Sequence, residues 1–143
     1  MQWPESPHEL SLASLEINAM LEHALTTIVL TRLAISTALP PELLADTVRS
    51  SNDLIYVLFE DIDDNTQRQY VITIQEETSF TWRMIVNATP ALDGSMLLSI
   101  GKTRHFMARF NLAGEARFEG IPASVIFDPG GLDFEFAVLP PKV

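Results

Sequence analysis

The sequence contains no cysteine, which excludes disulfides, thiolate metal sites and thiol catalysis. Only six glycines occur in 143 residues, and the glycine-built motifs GxSxG, GxxxxGK[ST] and GxGxxG are all missing. Gly101-Lys102-Thr103 lacks the upstream glycine of a phosphate loop and follows an apolar, strand-like run. Positive charge is scarce: nine Lys and Arg face nineteen Asp and Glu, for a formal net charge of −10. That balance argues against nucleic acid as a partner, because nucleic-acid binding draws on cations to displace counterions. It suits a basic protein partner instead. No apolar run reaches the ~18 residues of a membrane span, and MQWPESPHEL has no basic region followed by an apolar one. The expectation is a cytoplasmic protein that meets no membrane.

What is present suffices for a globular core. With 47% hydrophobic residues over 143 positions, the chain is sized for one domain. Residues 1–8 read as an N-terminal arm and residues 9–143 as a single α+β domain. Within it, residues 9–50 read as helical and residues 52–139 as β-rich. Glu9 to Leu39 contains neither Gly nor Pro. Leu21, Ala24, Leu25, Ile28 and Ile35 recur in it at helical spacing. Thr26, Thr27, Ile28, Val29 and Thr31 are β-branched and by themselves suit a strand, but flanks rich in Leu, Ala, Glu and Met favour one long helix. Pro40-Pro41 ends it, and residues 42–48 make a short second helix.

Beyond Asn52 the pattern changes to strands. Residues 54–59 form an unbroken apolar run, as a strand buried on both faces would. An acidic turn over Asp61–Asn65 leads into Tyr70–Ile74. Phe80, Trp82, Met84 and Val86 alternate with Arg83. Further strands are expected at Met96–Ile100, His105–Phe110 and Ala116–Phe118, then a final hairpin from Ala123 to Val138. The predicted architecture is a long N-terminal helix, plus the short one, packed on a curved, mainly antiparallel sheet of about seven strands.

Charge is segregated along the chain. Ser51–Ser79 carries seven acids against Arg68, whereas Phe80–Gly114 carries Arg83, Lys102, Arg104 and Arg109 against Asp93. Arg83, Lys102, Arg104, His105 and Arg109 are therefore the candidate binding residues. If their strands are neighbours, they would offer guanidinium forks to a carboxylate, a phosphate or an acidic peptide. The competing reading is that they pair with the chain's own acids. Asp61, Asp63 and Asn65 match the first positions of a calcium loop, but Thr66 replaces its glycine and Ile72 its bidentate glutamate. His8, His23 and His105 show no metal-ligand spacing. No metal and no cofactor is implied, and no catalytic residue is selected.

The plan of one apolar N-terminal helix followed by an antiparallel sheet is similar to that of type IV pilin-like proteins, as is the ending ARFNLAGEARFEG…VIFDPGG. The basic leader and the cleavage-site Gly followed by Phe-Thr-Leu of that family are missing, so no site residue is carried over. Three functional expectations result. The first is a non-enzymatic protein-interaction domain (an acidic inhibitor, immunity protein, chaperone or adaptor) that self-associates into a homo-oligomer through its apolar helix or an edge strand. The second is a small-molecule-binding protein or cofactor-free enzyme. Its pocket lies between helix and sheet, with walls of Phe80, Trp82, Met84, Phe106 and Phe110, and His105 or Asp93 with Arg83 and Arg109 supplies polar groups. The third is a pilin-like or phage structural subunit.

Overall fold

The computed structural model describes residues 8–10, 14–39, 55–101, 104–128 and 130–141. Among these, nine strands form two antiparallel sheets. One sheet has the order β1 (His8–Leu10), β7 (Arg104–Arg109), β6 (Ser95–Ile100), β9 (Phe134–Leu139), β2 (Thr26–Leu30). The other runs β3 (Ile55–Asp63), β4 (Arg68–Glu76), β5 (Thr81–Thr89), β8 (Glu115–Pro122). The inner faces meet in one core, where alternate residues such as Leu98 and Phe136 from the first sheet pack with Ile72, Met84 and Phe118 from the second. Phe118 and Phe136 touch edge to face across the sandwich, 6.3 Å between centroids.

The expected long helix over a single seven-stranded sheet is overturned. Glu9–Leu39 is divided between β1, helix α1 (Ser14–Leu21), strand β2 and helix α2 (Arg32–Ala38). The β-branched cluster that suited a strand is that strand: β2 pairs residue by residue with β9, from Thr26 opposite Val138 to Leu30 opposite Phe134. The break needs neither glycine nor proline. His23 and Ala24 close the end of α1 by donating to the carbonyls of Met20 and Leu21, both at 3.1 Å, and Leu25 then donates to Val138 at 2.7 Å. Tertiary pairing decides the conformation where local propensity is balanced. Thr31 restarts the helix, its Oγ1 accepting from the Ala34 amide at 3.3 Å. Without the long helix, the pilin-like ground plan has no counterpart here.

Other expectations also shift. The run read as a strand buried on both faces is the edge strand β3, where Ile55 and Val57 are more than half exposed. The β3–β4 hairpin forms, but Asp61, Ile62 and Asp63 belong to the strand itself. Residues 123–126, expected in a strand, form a single helical turn, α3 (Ala123–Ile126), beside which Phe127 meets Trp82 edge to face at 5.6 Å. The alternation read at β5 holds: Trp82, Met84 and Val86 are buried and Arg83 faces outward. His8, assigned to the arm, pairs with Met107. The second helix expected at 42–48 lies outside the described residues. No helix among those described is long and apolar enough to cross a membrane.

Strand β6 is the one buried on both sides, all six of its residues being buried. Met96, Leu98 and Ile100 face the sandwich, whereas Leu97 packs with Met107 and Ala137 under Ile17 and Met20 of α1. A second, smaller core therefore lies on the outer face of the five-stranded sheet.

At one end the two sheets are tied by a side-chain network. Thr26 Oγ1 of β2 donates to Asp63 Oδ2 at the end of β3. Asp63 also accepts from Thr66 Oγ1 at 2.8 Å and from the Asn65 amide at 3.3 Å. The Thr26 hydroxyl, more than burial opposes it, holds the Asp63 carboxyl below its ordinary value of 3.8. A depressed folded value means that the carboxylate adds stability above pH 3.8 and loses it as pH falls through the lower folded value. Asp63→Asn should therefore lower unfolding free energy by about 1 kcal/mol at neutral pH. Urea titrations under progressively acidic conditions should show that difference vanish.

Candidate functional site

The candidate site follows from the incomplete cover that α1 gives the five-stranded sheet. Ile17 and Met20 lie over Leu97, Met107, Ala137 and Leu139, one end of the outer face. The neighbouring row crosses three strands in register: Glu135 on β9 opposite Ser99 on β6, and Ser99 opposite His105 on β7. Side chains paired across antiparallel strands point to the same face, so this polar row shares its face with the small core and lies next to it. It forms the floor of a cleft of about 700 Å³. Ile17, Asn18 and Leu21 make the helix wall, Val29 of β2 flanks the floor, and Gly101 with Gly131–Asp133 closes the far side.

Gly101 shapes that far side. It adopts φ of +62°, and a Cβ there would lie 2.8 Å from Leu132 Cδ2. Its amide donates to the Asp133 carbonyl at 3.0 Å, which holds the segment before β9 against the end of β6.

Ser99 is 7% exposed, and its Oγ lies 2.9 Å from His105 Nδ1. The hydroxyl donates when the imidazole carries its proton on Nε2 and accepts when Nδ1 is protonated. This contact does not make a nucleophile. Ser99 sits mid-strand with a partner strand on each side, whereas an attacking serine needs free backbone N–H groups converging on the developing oxyanion. The arrangement can bind: it joins a hydroxyl, an imidazole, an amide and two carboxylates to aliphatic walls.

The residues nominated from sequence are dispersed. Arg83 is on the four-stranded sheet, 3.8 Å from Glu77 and 3.7 Å from Glu119. Arg109 stands 3.7 Å from Asp93 at the surface, and both line a separate depression with Leu92 and Phe110. The Arg104 guanidinium sits 5.5 Å from the Phe106 ring centroid. Lys102 lies outside the described residues. Of the four that are described, His105 alone lines the cleft. Trp82, Met84, Phe106 and Phe110, expected as pocket walls, are core residues, and Phe80 is 80% exposed before β5. Asp61 and Asp63, the start of the calcium-like pattern, are on β3, and the Asp63 oxygens are engaged by Thr26, Thr66 and Asn65.

The residues that sequence reasoning missed are Asn18, Val29, Ser99, Leu132 and Glu135. One signal was available for two of them. Ser99 and Glu135 are single polar interruptions in the apolar runs SMLLSI and FEFAVL, and a polar side chain in such a strand needs a local reason. A search of family models, curated proteins and solved structures finds no match to this chain.

Replacing Ser99 with Ala removes the partner of His105 Nδ1 without creating a large void. The expected cost is about 1 kcal/mol of stability. Imidazole nitrogen NMR should also show a changed tautomer balance at His105, whereas an unaltered imidazole spectrum would mean that the contact does not set the ring.

Proposed function

We propose that this protein binds a small organic molecule in the cleft between α1 and the outer face of the five-stranded sheet, without performing chemistry on it. One observation carries this reading: the Glu135–Ser99–His105 row lines the cleft beside an otherwise apolar outer core. Polar side chains on a face that is apolar next to them do not serve packing, and together with apolar walls they have the make-up of a ligand site. The expected protein-interaction domain drew on a helix too apolar for one-sided burial. That helix is now two short helices and a strand, so the premise for self-association through one long apolar helix is gone.

Protein interaction keeps one separate support. Ile55, Val57 and Ile62, each more than half exposed, lie along the edge strand β3, and an apolar edge is a template for strand pairing. In that reading sedimentation velocity finds a homodimer that Val57→Lys dissociates. A monomer at every concentration removes it.

The ligand reading is tested by titrating isotope-labelled protein with fragment mixtures and following backbone amide shifts. Binders should move the amides of Leu21, Ser99, His105 and Leu132 in a saturable way. Val29→Arg places a long cation over the cleft at a position 56% exposed, so stability should stay within about 0.5 kcal/mol while those shifts disappear. Responses confined to the depression beside Arg109 and Leu92, or unchanged by Val29→Arg, would contradict the assignment.

A further inference from the structure

The charge distribution around the cleft narrows the ligand. Four described acids outside the cleft meet cations: Glu77 and Glu119 approach Arg83, Asp93 approaches Arg109, and Glu115 approaches Arg117 at 3.7 Å. Asp133 and Glu135 differ. Both line the cleft, and among the described residues neither carboxylate has an ion-pair or hydrogen-bond partner. The described lining contains no Lys or Arg. Glu135 is also only partly exposed, in a strand whose other residues are buried, where an uncompensated carboxylate is costly.

We infer that the cleft takes a small organic cation, a primary amine with a short aliphatic body. This inference rests on the cleft being the binding site. An ammonium group has three donors and no acceptor. The cleft answers with the carboxylate of Glu135 and the Ser99 hydroxyl on its floor, the hydroxyl's lone pairs remaining available when its proton is given to His105 Nδ1, and with the exposed carboxylate of Asp133 on its far side. The aliphatic body lies on Leu21, Val29 and Leu132, which bury it without demanding further polar partners. A bare metal ion suits the site less well, since no group of three His, Asp or Glu able to hold one occurs among the described residues, and the walls are hydrocarbon.

Three matched probes separate the possibilities: n-butylammonium, n-butanol and n-butyrate, titrated into the labelled full chain at constant ionic strength. Butylammonium should move the amides of Leu21, Ser99, His105 and Glu135 saturably, and butyrate should leave them still. Glu135→Gln keeps the side chain's shape and should weaken butylammonium roughly tenfold, about 1.4 kcal/mol, leaving any response to butanol unchanged. Asp133→Asn should act in the same direction. If butyrate binds as well as butylammonium, or Glu135→Gln leaves butylammonium unaffected, the charge preference is wrong while the cleft remains a binding site. If no probe moves cleft amides, both the cation and the cleft are wrong.

Discussion

The two-sided burial of β6 is the constraint on which the rest depends. A strand with Met96, Leu98 and Ile100 on one face and Leu97 on the other cannot be satisfied by a sandwich alone. The second sheet covers one face, and something must cover the outer one. Helix α1 does so, and its register over the sheet is fixed by Ile17 and Met20 seated on Leu97, Met107 and Ala137. The break of Glu9–Leu39 into separate elements follows from that requirement. The chain must cross the outer face as a helix and then return as β2 at the sheet edge. A single helix of that length could not do both.

A helix of eight residues spans only part of a sheet face, about 12 Å of axial length. What it leaves bare is the row carrying the polar side chains. Glu135, Ser99 and His105 therefore stand in a cleft with an aliphatic wall on the helix side. The same geometry separates charge. The arginines that the sequence places close together end on two sheets, each beside carboxylates or a ring, and among the described residues the two acids of the cleft have no cation partner. On the proposed reading, recognition depends on Glu135 and Asp133 beside hydrocarbon walls, not on the basic cluster.

Much of the β half was legible from residues alone. Strict alternation at Trp82, Met84 and Val86 carries its own face assignment, and β5 follows it. Two kinds of information were not local. The switch from α1 to β2 occurs among Glu22, His23, Ala24 and Leu25, residues that helices accept readily, and it is enforced by Leu25 and Thr26–Leu30 bonding to β9, more than a hundred residues away in sequence. The run beginning near residue 54 was read as doubly buried because composition cannot say which strand is at an edge; β3 is at the edge and β6 is central. For the site, His105 was within reach as part of a polar cluster. Its actual neighbours come from cross-strand register, which no spacing in the sequence encodes. Ser99 and Glu135 were visible only as interruptions.

Native-state hydrogen exchange measured amide by amide tests the central claim directly. If β6 is the doubly covered centre and α1 an outer layer resting on it, the amides of Leu97 and Leu98 exchange only through global unfolding. The amides of α1 then open at lower free energy, as a separate unit. Exchange in β6 as fast as in the edge strands β1 and β2 would contradict the account, because the strand on which both cores and the cleft are built would not be covered on both faces.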